Sequence, residues 1–263
     1  MTATTAPVIG GHVGQDDPIG QAVAIGADCA QLFLGDPQGW KGPTFPHPDG
    51  AEGLKAAAQA AGVRIYVHSP YIINVASTNN RIRIPSRKIL QQQVDAAAQV
   101  GAAGVVVHGG HVTKDDDPQV GYDNWRKTFE RLELNCPVFI ENTAGGNFAM
   151  ARRLEAIERL WEALDGFDAG ICLDTCHAWA GGIPMPDAAA LIKGITGRID
   201  LVHANDSQGG FDSGRDRHAN FGEGTVGVDE LIECIRIADA PVVCETPFPG
   251  IAEDIALIRS RLA

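Results

Sequence analysis

The chain has 263 residues, 44% of them hydrophobic, and a formal net charge of −12. That length suits one (β/α)8 barrel of about 250 residues, and no apolar run approaches the ~20 residues that a membrane helix needs. The acidity counts against a general nucleic-acid binder, whose phosphate contacts require Lys and Arg, although net charge governs steering and solubility rather than local contacts.

The N-terminal stretch MTATTAPVIGG has neither a basic segment nor an apolar one, so no secretory signal is expected. Six cysteines without a C-x-x-C pair read as reduced thiols of a cytoplasmic protein. Beyond that stretch, short β-rich runs alternate with longer segments of helical period. A strand over 8–12 precedes a helix over 18–25, and a strand over 29–34 precedes a helix over 52–61. The third pair spans 64–68 and 86–100, the fourth 104–108 and 124–134, the fifth 137–141 and 150–164. The last three pairs are 169–174 with 186–195, 199–203 with 229–237, and 241–245 with 252–262. Pro18 and Pro186 fall where the first turn of a helix tolerates proline. Eight such repeats, with no Pro/Ser-rich linker, predict an α/β fold: a (β/α)8 TIM barrel, with a single domain over 1–263.

The polar residues carry the functional signal. RIYVH, GVVVH, PVFIE, AGICLD, IDLVH and PVVCE end on His68, His108, Glu141, Asp174, His203 and Glu245. Strand C-termini of a barrel open on one face, so these groups converge on one mouth. Crowded without cations they would carry a severe desolvation and repulsion cost. Divalent ions remove that cost, and an all His/Asp/Glu set suits zinc or manganese at a catalytic site.

Two further spacings extend the set. Asp174 and His177 form D-x-x-H where a strand gives way to a loop; a capping Asp beside a core His is the plainer alternative. Asp216 and His218 form D-x-H in the Gly-rich segment after His203, which taken alone could be a solvated loop. His12 reads as a supporting donor at the mouth, His111 as a substrate or supporting group, His47 as an ordinary loop residue, and 115–117 as a solvated turn. Cys172 and Cys176 read as core thiols. No G-x-G-x-x-G, G-x-x-x-x-G-K-[ST] or G-x-S-x-G motif is present.

VHSPYIINVAS, VVVHGGH, FIENTAGGN, CLDTCHAWAGG, HANDSQGGFDSGRDRHANFGEG and CETP occur in that order and span almost the whole chain. In these blocks the chain resembles the endonuclease IV family of apurinic/apyrimidinic endonucleases. The resemblance implies a TIM barrel with three zinc ions, manganese being an alternative at one site. It implies cleavage of double-stranded DNA 5′ to an abasic site, leaving a 3′-hydroxyl and a 5′-deoxyribose phosphate, with removal of groups that block 3′ ends.

Carried over by motif, His68 and His108 hold the first zinc, and Glu141 bridges it to a second held by Asp174, His203 and Glu245. His177, Asp216 and His218 hold the third. Glu141 and Glu245 are the catalytic candidates, orienting or deprotonating the nucleophile. Tyr71 and Ile72 match a loop that wedges into the base stack. Gln38 stands where some members have Arg, which puts an Arg-type wedge in doubt. VHGGH replaces the family's H-P-G-S, placing His111 near the mouth. Arg81, Arg83, Arg87, Lys88, Arg215 and Arg217 are candidates for phosphate contacts, a solvated basic face being the alternative. A monomer is expected. The competing reading is a sugar isomerase or epimerase on the same barrel, with one or two metals; it would not carry the DRH loop.

Overall fold

Short, continuously apolar runs rich in β-branched residues, buried on both faces, form the strands. In the computed structural model, which describes residues 7–263, all eight expected strands form. Residues 1–6, the start of the stretch read for a targeting signal, lie outside the described residues. In chain order the elements are β1 Ile9–His12, α1 Pro18–Ala24, β2 Cys29–Phe33, α2 Gly50–Ala61, β3 Arg64–His68, α3 Asn80–Gln99, β4 Val105–His108, α4 Pro118–Phe129, β5 Val138–Glu141 and α5 Leu154–Ala163. There follow β6 Gly170–Asp174, α6 Thr175–Gly181, α7 Ala188–Thr196, β7 Leu201–Ala204, the short strands β8 Asp206–Ser207 and β9 His218–Ala219, α8 Val228–Ala238, β10 Val242–Cys244 and α9 Ile251–Leu262.

The long strands pair in parallel in the order β1-β10-β7-β6-β5-β4-β3-β2 and close on themselves. Closure removes both sheet edges. Leu32, Val67, Val107, Ile140, Leu173 and Val202 point outward into the main core beneath the helices, together with Leu54, Leu90, Trp125 and Leu160 from α2 to α5. The alternate residues point inward. Cys29, Tyr66, Val106, Phe139, Cys172, Leu201 and Val243 fill the barrel interior as a separate apolar cluster.

This plug positions the site. Because side chains alternate across a strand, the residue two beyond each plug residue points into the same lumen one layer higher. Those residues are Gln31, His68, His108, Glu141, Asp174, His203 and Glu245. Register brings them side by side, with His108 opposite Glu141 and Asp174 opposite His203. No helix among the described residues is long and apolar enough to cross a membrane.

Several elements depart from their expected bounds: α5 starts at Leu154 and α7 at Ala188, so Pro186 precedes its helix, and local chemistry accounts for three further differences. Helix α3 begins at Asn80 rather than after Pro85: the Asn79 side chain accepts from Arg81 N at 2.9 Å, and Arg83 donates to the carbonyls of Ser77 and Thr78. The proline thus sits in a well-capped second turn. Helix α4 begins at Pro118, capped by Asp117, so the acidic run read as a plain turn starts a helix. The segment after Asp174, expected as a loop, is helix α6.

Candidate metal centre

The ligand sets separate by position. One comprises His68, His108 and Glu141; a second comprises Glu141, Asp174, His203 and Glu245; a third gathers Asp174, His177 and His218. Within each, one donor atom per residue lies within 4.8 Å of the others. Glu141 faces two sets at once. Its Oε2 stands 3.2 Å from both His68 Nε2 and His108 Nε2, and its Oε1 stands 3.1 Å from His203 Nδ1. His203 Nδ1 lies 3.2 Å from Glu245 Oε2 and 3.9 Å from Asp174 Oδ2. Asp216, grouped with Cys176 and His218, extends the third set: its Oδ1 is 3.2 Å from His177 Nε2 and 3.3 Å from His218 Nε2.

Four imidazoles have one nitrogen committed outside the cluster. His68 Nδ1 donates to Ser69 O at 2.7 Å, His177 Nδ1 to Asn142 O at 2.9 Å, and His218 Nδ1 to Glu245 O at 3.2 Å. His203 Nε2 lies 2.8 Å from Gln31 Oε1, whose amide nitrogen is turned to Glu245 Oε1 at 2.6 Å. A carbonyl can only accept, so each outer nitrogen carries the proton and the inner one offers a lone pair to the cluster. This is how protein groups fix metal-binding tautomers. His177 Nε2 and His218 Nε2 are buried and make no hydrogen bond of proper geometry. Orphaned lone pairs in a buried N/O donor set fit a divalent cation.

The capping role of Asp174 occupies one of its oxygens and leaves the other at the cluster. Its Oδ1 caps α6, accepting from His177 N at 2.7 Å, while Oδ2 accepts from Asn205 Nδ2 at 2.7 Å and faces the ring nitrogens. Cys176 belongs to a set with Asp216 and His218, but burial pushes its thiol up to about 12, far from the thiolate a metal requires. His177 is the better donor.

The charges need one another. Burial alone would raise Glu141, yet His203 and His108 outweigh it and hold the carboxyl well below the usual range. Burial likewise opposes ionisation of Glu245, which His203 nonetheless holds at about 2. Burial would depress His218, but Asp216, Asp174 and Glu245 lift it to about 9. The buried carboxylates thus create a demand for positive charge at the centre.

Three supporting residues were missed by sequence reading. Gln31 is fully buried and orients His203 and Glu245; its signal was a lone polar residue two beyond Cys29 in the run CAQLF. Asn142 exchanges hydrogen bonds with the backbone of Asp174 at 2.7 and 3.0 Å. Asn205 ties Asp174 Oδ2 to the backbone N of Glu245. His12 stands beside the ligands at the mouth, but its Nδ1 accepts from Gln31 Nε2 at 3.0 Å rather than donating, and lies 3.6 Å from Glu245 Oε1.

At the rim, Tyr71 is half-exposed and stacks on His108, ring centroids 5.7 Å apart. Its backbone N donates to Pro37 O at 2.8 Å, joining the Tyr71–Ile72 loop to that of Gln38, which is exposed. A cavity of about 520 Å³ beside His108 is lined by Trp40, Tyr71, Ile72, Asn74, His111 and Thr143 among others. His111 thus lies at the mouth but in no ligand set. Its backbone is clamped by Asn74 at 2.9 and 3.2 Å. Arg81 and Lys88 are exposed on α3. Arg83 is committed to Ser77 O, Thr78 O and Asn80, and Arg87 to Thr128 and Asn124. Arg215 and Arg217 are exposed on either side of Asp216 and line a recess of about 350 Å³ with Gln208 and Gly209.

A family model described as the xylose isomerase-like TIM barrel matches residues 19–261. The chain is 54% identical to "Probable endonuclease 4" of Mycobacterium bovis over 254 residues, covering 97% of this chain and 98% of the relative. The chain belongs to the endonuclease IV family. It is an enzyme of the nuclease class, a hydrolase. The homonymous protein of Mycobacterium leprae is 52% identical over 254 residues, with the same coverage. Endonuclease IV from Thermus thermophilus superposes with a TM-score of 0.82 at 27% identity, covering 97% of this chain and 99% of that one. A D-tagatose 3-epimerase-like protein matches with a TM-score of 0.78 at 18% identity over 97% of this chain and 96% of that one, a likeness of fold alone. Against the endonuclease IV background, the strand-end sets and the D-x-H loop are the features to be explained.

Proposed function

We propose that the chain is a zinc-dependent apurinic/apyrimidinic endonuclease of base-excision repair. It hydrolyses the phosphodiester 5′ to an abasic site in double-stranded DNA, leaving a 3′-hydroxyl and a 5′-deoxyribose phosphate, and it clears blocked 3′ ends. The observation that carries this reading is the junction of three ligand sets, two of them sharing Glu141 and two sharing Asp174. A sugar epimerase with one or two ions has no use for the third.

His68, His108 and Glu141 would hold one zinc, Glu141, Asp174, His203 and Glu245 a second, and His177, Asp216 and His218 a third, manganese being an alternative at one of the three. When bound, such ions supply Lewis acidity, water activation and charge to balance a leaving oxygen. The protein's own groups do the rest. Glu141 presents one oxygen to each half of the centre and, with Glu245, orients or deprotonates the attacking water. Tyr71 and Ile72, supported by the loop of Gln38, enter the base stack and favour extrusion of the abasic nucleotide, which costs least where no base is paired. Arg81, Arg215 and Arg217 meet phosphates. Arg83 contributes by shaping the start of α3 beside them. The chain acts as a monomer in the cytoplasm.

The test is incubation of zinc-loaded protein with a duplex carrying one abasic site. Cleavage immediately 5′ to that site, with three zinc ions per chain by plasma mass spectrometry, is expected. Uncut duplex where a control nuclease cuts, or a single ion per chain, would sink the reading.

A further inference from the structure

Within the third ligand set, Asp216 is held differently from its partners. His177 and His218 are each tied through Nδ1 to a backbone carbonyl. Asp216 is 59% exposed at its side chain. Apart from those two imidazoles, no side chain holds its carboxylate among the described residues. Its position therefore depends on how the loop between β8 and β9 docks.

That docking centres on Asp212. Asp212 N donates to Trp179 O at 3.0 Å and Gly214 N to Ala180 O at 2.9 Å, seating the loop on the C-terminal end of α6. The first turn of the same helix carries His177. The Asp212 carboxylate receives two guanidiniums, Arg152 Nη2 at 2.9 Å and Arg153 Nη2 at 2.7 Å. Arg152 is itself buried, at 8% exposure, and reaches Asn147 Oδ1 at 3.2 Å with its other arm. Asp212 has φ of 58°, a left-handed conformation that glycine would adopt without strain. Beneath the pair lies Gly182, φ 88°; a Cβ there would stand 2.0 Å from Arg153 Nη1 and 3.0 Å from Asp212 Oδ1. A charged residue in a position suited to glycine, met by two arginines over a bare glycine, is a built clamp.

We propose that Arg152, Arg153 and Asp212 are positioning residues for the third metal site. By locking the loop against α6 they bring Asp216 into the set of His177 and His218, without touching a metal or the reacting atoms. The inference rests on the three-metal reading given above.

The test measures zinc retention by the full-length protein, titrated against a fluorescent zinc chelator, with residual zinc counted by plasma mass spectrometry. Asp212→Gly keeps the left-handed backbone and removes the carboxylate. Together with Arg152→Ala, it is expected to weaken the loosest zinc about tenfold, within the range for groups that orient metal ligands. The two tighter ions should be retained as in the wild type. Asp212→Asn, which still accepts a hydrogen bond from the guanidinium, should fall between. A general loss of structure would instead lower the melting temperature and weaken all sites together, and that pattern overturns the proposal. So does a wild-type third dissociation constant in Asp212→Gly; that variant decides alone if Arg152→Ala does not fold. A wild type holding fewer than three zinc ions, or a His218→Ala variant losing none, would instead overturn the three-metal reading itself.

Discussion

The two halves of the centre are built to different standards. Glu141, Asp174, His203 and Glu245 stand at or directly after strand ends, above an apolar plug, with side chains 0 to 14% exposed. The Asp216–His218 half hangs on a short antiparallel hairpin, and its carboxylate is 59% exposed. Strand-borne ligands inherit the rigidity of the closed barrel, whereas a loop-borne ligand is only as fixed as the loop's own contacts. The shared carboxylates sit where position is surest. The third site is the one that sequence change, or a chelator, should open first.

Several variants break or sharpen this contrast. Glu141→Gln removes the carboxylate that both halves of the strand-borne region share, and turnover of an abasic duplex should fall by about 10³-fold or more, the scale of a lost acid–base group. Single-turnover kinetics on protein shown to be folded by circular dichroism would read this; wild-type cleavage would remove Glu141 from the centre. His218→Ala strikes the loop-borne half. It should cost one metal per chain and about 10²-fold in rate, with a melting temperature close to that of chelated wild type, because His218 contributes little to the core. Unchanged metal content would show the third set misassigned.

Gln31→Leu leaves every ligand in place but frees the His203 ring and the Glu245 carboxylate. Metal affinity of the strand-borne half should drop about tenfold, read by competition with a chelator; an unchanged affinity would reduce Gln31 to a filler of space. The smallest effect belongs to Arg217→Ala. DNA binding measured by fluorescence anisotropy should weaken a few-fold at moderate salt, and the salt dependence should lose about one phosphate contact. If the slope stays as in wild type, Arg217 belongs to the solvated surface.

Much of the strand-borne half was legible in the chain, because a strand writes its geometry in period two. A polar residue closing an apolar run marks a lumen-facing side chain at the mouth, and all six such residues converge as that pattern requires. Gln31 obeys the same rule but lies inside its run, where an amide is easily passed over as an ordinary strand residue. The loop-borne half was legible only as a D-x-H spacing. Asp117 as a helix cap, α6 behind Asp174 and the true start of α3 depended on local caps that compete with a simple hydrophobic period.

By itself, the sequence determined the alternation of strands and helices, the closure they favour and the chemistry placed at each strand end, since these follow from periodicity and residue type along contiguous segments. Only the tertiary structure decided which ring nitrogen of each histidine faces inward, that Gln31 orients His203 and Glu245, and that Asp212 and Arg152, 60 residues apart, hold the loop of the third. Those outcomes depend on distances between segments remote in the chain, and no local pattern encodes a distance that only folding brings about.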